Sequence, residues 1–243
     1  MLKPAIVTPY YKESFEVLRR CHESVAQQSI KSKQFFIGDG VSSAFIDQWD
    51  STHLSLPKNF ADNGNTPRSI GAVMAASMGY NPILFLDADN YFLDNHVQEA
   101  LSLKAQSPKL DVIFSDRIIR LDDGSTFHPA PEDKLRLFAD TSTMCFFESA
   151  FPLLHLWALI PNCLSPICDR IMYESIRAKK LSFGWTKKPT MIFESHYKCH
   201  YQAAARKNLT PLHDPDWLHL KELLPRAMIL YQRRTGLAIN VSL

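Results

Sequence analysis

The sequence lacks any apolar run long enough to cross a bilayer. A membrane-spanning helix needs about 20 apolar residues, and no stretch of the 243 residues approaches that length. The start, Met1 to Pro4, shows no charged segment followed by an apolar one, so we expect no signal peptide. We therefore predict a cytoplasmic protein without a transmembrane segment.

Paired cysteines and a strong charge of one sign are also missing. The five cysteines have neither zinc-ribbon spacing nor the pattern of a disulfide framework, so we expect reduced thiols. A net charge of +2 gives no electrostatic reason to bind nucleic acid. The composition, 46% hydrophobic and 21% charged, is that of a globular protein. We expect one domain, residues 1–243.

One predicted strand ends in two carboxylates. The apolar residues 83–86 indicate a short buried strand, and Asp87, Ala88, Asp89 and Asn90 follow it directly. Ligands bind at the carboxyl ends of strands in open α/β sheets. Two acids at positions i and i+2 suit a divalent cation and its phosphate ligand. The other interpretation is an acidic turn that only caps the strand.

Strand-like and helix-like patterns alternate, which predicts an α/β fold with a mainly parallel sheet flanked by helices. A helix beginning at Asn65 is expected to bury Ile70, Val73, Met74, Ser77 and Met78. The last helix should kink or split at Pro225. Strands are predicted at 5–7, 35–37, 54–56, 83–86, 112–119, 143–147 and 191–193, and further helices at 13–28, 95–105, 166–178 and 217–234.

Three strand ends carry side chains suited to a nucleoside diphosphate. Tyr10 offers a flat ring for a base, and Asp39 offers an acceptor for a base N–H group. Asp87 and Asp89 would serve ribose and metal, and Arg68 a base carbonyl or the pyrophosphate. Tyr10 and Asp39 are each equally explained as ordinary turn residues.

These segments, in this order, resemble family 2 glycosyltransferases of the GT-A fold. The resemblance covers roughly Ala5 to Tyr201 and implies a GT-A-like (Rossmann-like) mixed, mainly parallel sheet. It divides the domain into a nucleotide-sugar half (about 1–110), an acceptor half (about 111–210) and a C-terminal helical region (211–243). It is carried by Ile6-Val7-Thr8-Pro9-Tyr10-Tyr11, Phe36-Ile37-Gly38-Asp39-Gly40, Asp62-Asn63-Gly64-Asn65-Thr66-Pro67-Arg68 and Phe85-Leu86-Asp87-Ala88-Asp89-Asn90.

The resemblance implies a metal-dependent donor site. Asp89 should ligate Mn²⁺ or Mg²⁺ at the donor diphosphate, and Asp87 should contact the ribose. The family usually has paired acids before the glycine of its second motif, and Gly38 stands at the first of these here. This departure leaves the nucleotide preference open. The implied donor-binding residues are Thr8, Pro9, Tyr10, Asp39, Arg68, Asp87 and Ala88.

The resemblance also implies a general base at a helix start in the second half, where Asp169 stands. A carboxylate at a helix N-terminus stays ionised, so a base there needs a second influence such as partial burial. A helix-cap acid or a salt bridge to Arg170 is the alternative for Asp169, and Glu148 and Asp140 rank below it as bases. Glu148 and Trp157 are expected on the acceptor side.

A late histidine is the second implied metal ligand. We favour His200, with His196 as the alternative, since imidazole suits Mn²⁺ beside carboxylate and phosphate oxygens. A plain surface or core histidine is the competing interpretation of each. Lys198 is an alternative phosphate ligand, and the short run around Cys199 does not favour zinc.

The predicted function is an inverting, metal-dependent glycosyltransferase. The donor would be a UDP- or GDP-linked sugar, and the acceptor a hydroxyl of a glycan, a lipid-linked sugar or a protein. The resemblance suggests bacterial surface polysaccharide or glycoconjugate synthesis, in the cytoplasm or at the periphery of the inner membrane. A catalytically degenerate GT-A domain that binds a glycan or partner is one alternative. A sugar nucleotidyltransferase ranks lower, because it would need an early Gly-rich basic loop.

Overall fold

The computed structural model describes residues 2–128, 138–206 and 214–243. These residues form nine strands in one sheet, with the order β3-β2-β1-β4-β8-β6-β9-β5 and β7 paired to β6. The strands are β1 (Ala5–Tyr10), β2 (Lys33–Gly38), β3 (Ser51–Ser55), β4 (Ile83–Phe85), β5 (Tyr91–Phe92), β6 (Val112–Arg120), β7 (Thr126–Phe127), β8 (Met144–Phe146) and β9 (Phe183–Glu194). The helices are α1 (Phe15–Ala26), α2 (Asn65–Ser77), α3 (His96–Gln106), α4 (Cys168–Ala178), α5 (Lys198–Ala203) and α6 (Trp217–Thr235).

The sheet is mixed and mainly parallel, as the sequence predicted. The strands β3, β2, β1 and β4 run parallel to one another, and β8 is antiparallel to both β4 and β6. Tyr10 pairs with Gly38, and Val7 pairs with Phe85. This register places three chain segments at one edge of the sheet: the end of β1, the turn after β2 and the segment 87–90 after β4, called the acidic loop below.

The predicted inner face of α2 is only partly correct, since Ile70 and Met74 pack against the core as partly buried residues. Val73 and Met78 are about half exposed, whereas Arg68, Gly71 and Ala72 are buried. A β-carbon on Gly71 would lie 2.6 Å from side-chain carbons of both Val7 and Ile37. The helix therefore approaches the sheet through its smallest residues, a contact that hydrophobic periodicity does not detect.

The region after β8 is a core element. Residues Glu148–Leu159 form 3₁₀ turns that pack against α2, and Trp157 in this run is fully buried.

The last helix, α6, continues through Pro225 as one helix, so the predicted split at that residue is wrong. Packing of Leu220, Ala227 and Tyr231 against the domain holds the helical turns on both sides of the proline.

The described part of the chain includes no helix with the length and apolar character needed to cross a membrane.

Candidate functional site

A cavity of about 610 Å³ lies at the carboxyl ends of β1, β2 and β4. Strand ends in a parallel sheet expose backbone and side-chain polar groups at one edge, which is where α/β proteins bind ligands. Six residues that the sequence predicted for the donor and metal site line it: Pro9, Tyr10, Asp39, Asp87, Ala88 and Asp89. Seven others lining it were not predicted: Tyr11, Glu13, Asn59, Ala61, Asn63, Gly64 and Tyr197.

Asp87 forms an ion pair with Arg68. The Arg68 guanidinium, buried on α2, donates a 2.6 Å hydrogen bond to Asp87 Oδ1 and a 2.9 Å bond to Asn65 Oδ1. Its charged plane also lies 5.0 Å from the Trp157 ring. Arg68 does not line the larger cavity but supports a carboxylate that does. The predicted contact of Arg68 with a base carbonyl or the pyrophosphate stays a prediction.

Asp89 is crowded by other carboxylates. Its side chain keeps accessible surface and lines the cavity. Partial desolvation and repulsion by Asp87 and Glu13 raise the pKa of Asp89 to about 7. A cation beside these groups would relieve the repulsion, so the carboxylates fit a divalent ion with oxygen ligands.

The acidic loop is fixed through its backbone. Arg20 donates a 2.9 Å hydrogen bond to the Asp89 carbonyl and pairs with Glu194 on β9. Buried Asn90 accepts a 3.1 Å bond from the Glu194 amide, and the Asp87 amide donates to Ser142 Oγ at 3.1 Å. Three separate elements thus set the direction in which the two carboxylates face.

Asp39 faces the cavity from the turn after β2. Its Oδ1 atom accepts a 2.9 Å hydrogen bond from the Phe60 amide. Burial, together with repulsion from Asp62, raises the pKa of Asp39. The following loop reaches α2 through left-handed conformations at Ala61, Asn63 and Gly64, and all three line the cavity.

Two adjacent tyrosines line the same cavity with different exposure. Tyr10 is only 4% exposed, and its hydroxyl lies 2.6 Å from His53 Nε2. Tyr11 is 39% exposed and carries the Lys12 ammonium 4.8 Å from its ring centre. The accessible ring face therefore belongs to Tyr11, whereas the sequence predicted the Tyr10 ring for the base.

A second cavity of about 230 Å³ adjoins the first, with Asn63, Asp87 and Tyr197 in the walls of both. Asp169 lines it from the first turn of α4, as predicted, and its Oδ1 accepts a 2.8 Å bond from the Arg170 amide. Burial and the nearby Asp140 raise the pKa of Asp169 to about 6. That value suits a carboxylate that takes up a proton near neutral pH.

Asp140, the lower-ranked base candidate, lines the second cavity but is paired. Arg117 Nη1 donates to its Oδ2 at 2.6 Å, and the Ser142 amide donates to its Oδ1 at 2.9 Å. Both carboxylate oxygens are therefore occupied, which leaves Asp169 the better-placed base in this cavity.

Neither predicted histidine ligand lines the larger cavity, which Asp89 lines. His200 lines the second cavity, and its Nδ1 lies 2.6 Å from Ser195 Oγ. Burial and the Arg117 charge lower the pKa of His200 to about 4, so its ring is neutral and able to ligate. His196 is exposed and lines neither cavity. Across the described ranges, no group of three or more His, Cys, Asp or Glu side chains is arranged to hold a metal unaided.

Three other predicted site residues lie outside both cavities. Thr8 is buried in β1, where its Oγ1 accepts a 3.0 Å bond from Gln34. Trp157 is a core residue packed against Phe85. Glu148 is exposed at the start of the 3₁₀ run. In this structure Trp157 is not an acceptor platform, because its ring has no accessible face.

The same architecture occurs in S. aureus TarS. TarS residues 1–349 in complex with UDP match with a TM-score of 0.63 at 14% identity, over all of this chain and 67% of that one. The complex with UDP-GlcNAc matches with a TM-score of 0.58 at 12% identity, over 94% and 67%. A further TarS structure matches with a TM-score of 0.60 at 14% identity and 83% coverage, and this chain spans only 38% of its length.

The sequence matches no protein-family model and no curated protein. At 12–14% identity the likeness to TarS establishes the fold, which is a GT-A-like mixed α/β fold.

Proposed function

We propose that this protein is an inverting, metal-dependent glycosyltransferase that uses a nucleoside-diphosphate sugar. The observation that carries the proposal is the pair of adjoining cavities, one with Asp87 and Asp89 and the other with Asp169. Asp87 borders both. A donor and an acceptor held side by side across such a boundary gain rate through proximity.

The larger cavity is the proposed donor site. Its volume of about 610 Å³ suits a ligand of nucleotide-sugar size. Asp39 supplies an acceptor for a base N–H group, and Asp87 one for a ribose hydroxyl. TarS, which shares the fold, has been solved with UDP and with UDP-GlcNAc. UDP is therefore the first nucleotide to test.

A divalent cation fits the donor cavity. Asp89 is its proposed protein ligand, and the donor phosphates would complete the oxygen set that Mn²⁺ or Mg²⁺ requires. When bound, the cation would neutralise charge on the departing diphosphate. The raised pKa of Asp89 supports this role, since a nearby positive charge would favour its ionised form. His200 lines the second cavity, so it would bind this cation only after a conformational change that brings its ring to the larger cavity.

Asp169 is the proposed general base. The acceptor oxygen forms a bond to the anomeric carbon as its proton passes to the Asp169 carboxylate. The bond between that carbon and the diphosphate oxygen breaks, and its electron pair leaves with the nucleoside diphosphate. Attack opposite the leaving group inverts the anomeric centre, and no covalent sugar–enzyme intermediate is required.

A thermal-shift series tests the donor site. UDP, GDP, CMP and TDP are each added with and without Mn²⁺ or Mg²⁺ to the wild type, Asp89→Ala and the control Asp94→Ala, an exposed aspartate outside the cavity. We expect one nucleotide to raise the melting temperature only with metal, in the wild type and the control but not in Asp89→Ala. No shift with any nucleotide would contradict the proposal.

A degenerate domain that only binds a glycan or partner is the second candidate. The glycine at position 38, where the resemblance expects an acid, favours it. Donor hydrolysis separates the two readings, because release of the free sugar from a nucleotide sugar requires a working donor site. Bacterial surface glycoconjugate synthesis, with a glycan, lipid-linked or protein acceptor in the cytoplasm or at the inner membrane, remains part of the proposal.

A further inference from the structure

A hydrogen-bonded chain of three side chains leads from the donor cavity to the protein surface. Tyr10 Oη lies 2.6 Å from His53 Nε2, and His53 Nδ1 lies 2.7 Å from Asp47 Oδ1. Tyr10 ends β1, His53 lies in β3, and Asp47 belongs to the 3₁₀ turn Ile46–Gln48 before β3. His53 and Asp47 do not line the cavity, but they hold the hydroxyl of Tyr10, which does.

The partners fix the direction of each hydrogen bond. The Asp47 carboxylate only accepts, so the N–H group at His53 Nδ1 donates to it. In that tautomer Nε2 accepts from the Tyr10 hydroxyl, which also lies 3.4 Å from the Val41 carbonyl oxygen. The side chain of His53 is 9% exposed and that of Asp47 is 62% exposed. The phenol therefore turns toward β3, where its hydroxyl is satisfied within the protein.

The anchored phenol fills the space beside Gly38. A β-carbon at Gly38 would meet the Val41 carbonyl oxygen and would lie 2.9 Å from both Cζ and Oη of Tyr10. No side chain fits at position 38, because the Val41 carbonyl and the Tyr10 phenol both occupy the space that its β-carbon needs. The Tyr10 ring also belongs to the buried cluster that includes Ala88, the residue between the two cavity aspartates. The position of the Tyr10 ring thus shapes the cavity wall beside the end of β2 and beside Ala88.

We infer that His53 and Asp47 are positioning residues of the nucleobase subsite, acting through Tyr10. The inference rests on the proposed function, since it assigns this end of the larger cavity to the base of the donor. With no side chain possible at Gly38, the wall at that end depends on where Tyr10 is held. Loss of the chain should weaken contacts to the base and leave the diphosphate end, around Asp89, unchanged.

Two probes separate the base subsite from the diphosphate subsite. The first is whichever of UDP, GDP, CDP and ADP the wild type binds most tightly, and the second is inorganic pyrophosphate, which has no base. Both are titrated calorimetrically with saturating Mg²⁺ against His53→Leu, Tyr10→Phe, their double variant and Asp47→Ala. The matched control is Asp50→Ala, an exposed aspartate paired with Lys33 near the same turn.

We expect His53→Leu and Tyr10→Phe each to weaken nucleotide binding about 3- to 10-fold, the range of one hydrogen bond. The double variant should bind like either single variant, because both changes remove the same bond. Asp47→Ala should weaken binding about 2-fold, and Asp50→Ala should not change it. Pyrophosphate affinity should stay within 2-fold throughout. Nucleotide selectivity should fall in the same variants, which a purely structural role would not produce.

Three results would overturn the inference. One is nucleotide affinity that does not change in His53→Leu and Asp47→Ala. Another is an equal loss of nucleotide and pyrophosphate binding, which indicates general damage to the fold. Asp47→Ala guards against misfolding of His53→Leu, because Asp47 is on the surface. A wild type that binds pyrophosphate but no nucleotide, or neither probe, would overturn the proposed donor site together with this inference.

Discussion

Arg68 Nη2 and Asp87 Oδ1 are 2.6 Å apart, and they join the start of α2 to the acidic loop after β4. The guanidinium is 2% exposed, while the carboxylate keeps 33% of its side-chain surface accessible from the cavity. The buried cation is thus neutralised by an anion that still faces the cavity. One ion pair therefore serves the stability of the domain and the shape of the proposed donor site together.

Removing this cation should destabilise the fold. Arg68→Met leaves Asp87 without its partner and loses the packing on Trp157, so the free energy of unfolding should fall by about 3 kcal/mol. Arg177→Met is the control, since Arg177 forms an exposed pair with Glu174 and should matter by less than about 0.5 kcal/mol. Urea denaturation measures both. Equal values for the two variants would contradict a structural role for the buried pair.

Asp169→Asn should remove catalysis and retain the donor site. The amide cannot accept the acceptor's proton, so kcat should fall at least about 100-fold, with the nucleotide dissociation constant within about twofold of wild type. In the wild type, kcat/KM should decline below about pH 6, because protonation removes the base. Asp123→Asn, in the turn before β7, is the control. Normal turnover by Asp169→Asn would end this assignment.

His96 should make the protein sensitive to acid. Its ring is buried, stacks on Phe92 at 3.7 Å and lies 2.8 Å from Thr190 Oγ1 through Nδ1. Burial lowers the pKa of His96 to about 3, so the unfolded chain binds a proton that the folded chain does not. Stability from this group is complete above about pH 6.5 and is lost as the pH falls toward 3.

The expected slope for His96 is about 1.4 kcal/mol of unfolding free energy per pH unit. Denaturant titrations between pH 7 and pH 4.5 should show a smaller decline for His96→Gln than for the wild type. His155→Gln, an exposed histidine, should decline like the wild type. Parallel curves for all three proteins would show that His96 does not cause the acid sensitivity.

Gly71→Ala should destabilise α2, although alanine is the better helix former. In an open helix this change stabilises by about 0.5–1 kcal/mol. Here the added carbon would lie 2.6 Å from Val7 and Ile37, so overpacking should lower the unfolding free energy by about 1–3 kcal/mol. Chemical denaturation gives the sign directly. A more stable variant would mean that the helix can move away from the sheet without loss.

The sequence predicted the sheet better than the packing on it. Buried strands such as β4 are apolar runs followed by acids, and both signals are local, so the acidic loop and its place at a strand end were predicted. The face of α2 was predicted only in part, because its buried residues include Gly71, Ala72 and Ala75, which carry little hydrophobic signal. Exposed Val73 and Met78 gave a misleading pattern.

The candidate site was predicted in part for the same reason. Pro9, Asp39 and Asp89 are strand-end residues and line the larger cavity. Glu13, Tyr11 and the chain through His53 depend on contacts across separate elements, and Tyr10 and His53 are 43 positions apart in sequence. Burial of Arg68 and Trp157 likewise follows from tertiary packing, which no single segment encodes.

The fit between Gly38 and the Tyr10 phenol also restricts how this sequence can change. An acid introduced at position 38 alone has no room for its first carbon. A smaller residue at position 10 alone leaves His53 Nε2 without its partner and a void beside the β2 turn. Either substitution alone therefore damages the packing of this strand end. An acid at position 38 therefore requires a replacement of Tyr10 together with a different course of the chain at Val41, because both occupy the space of its first carbon.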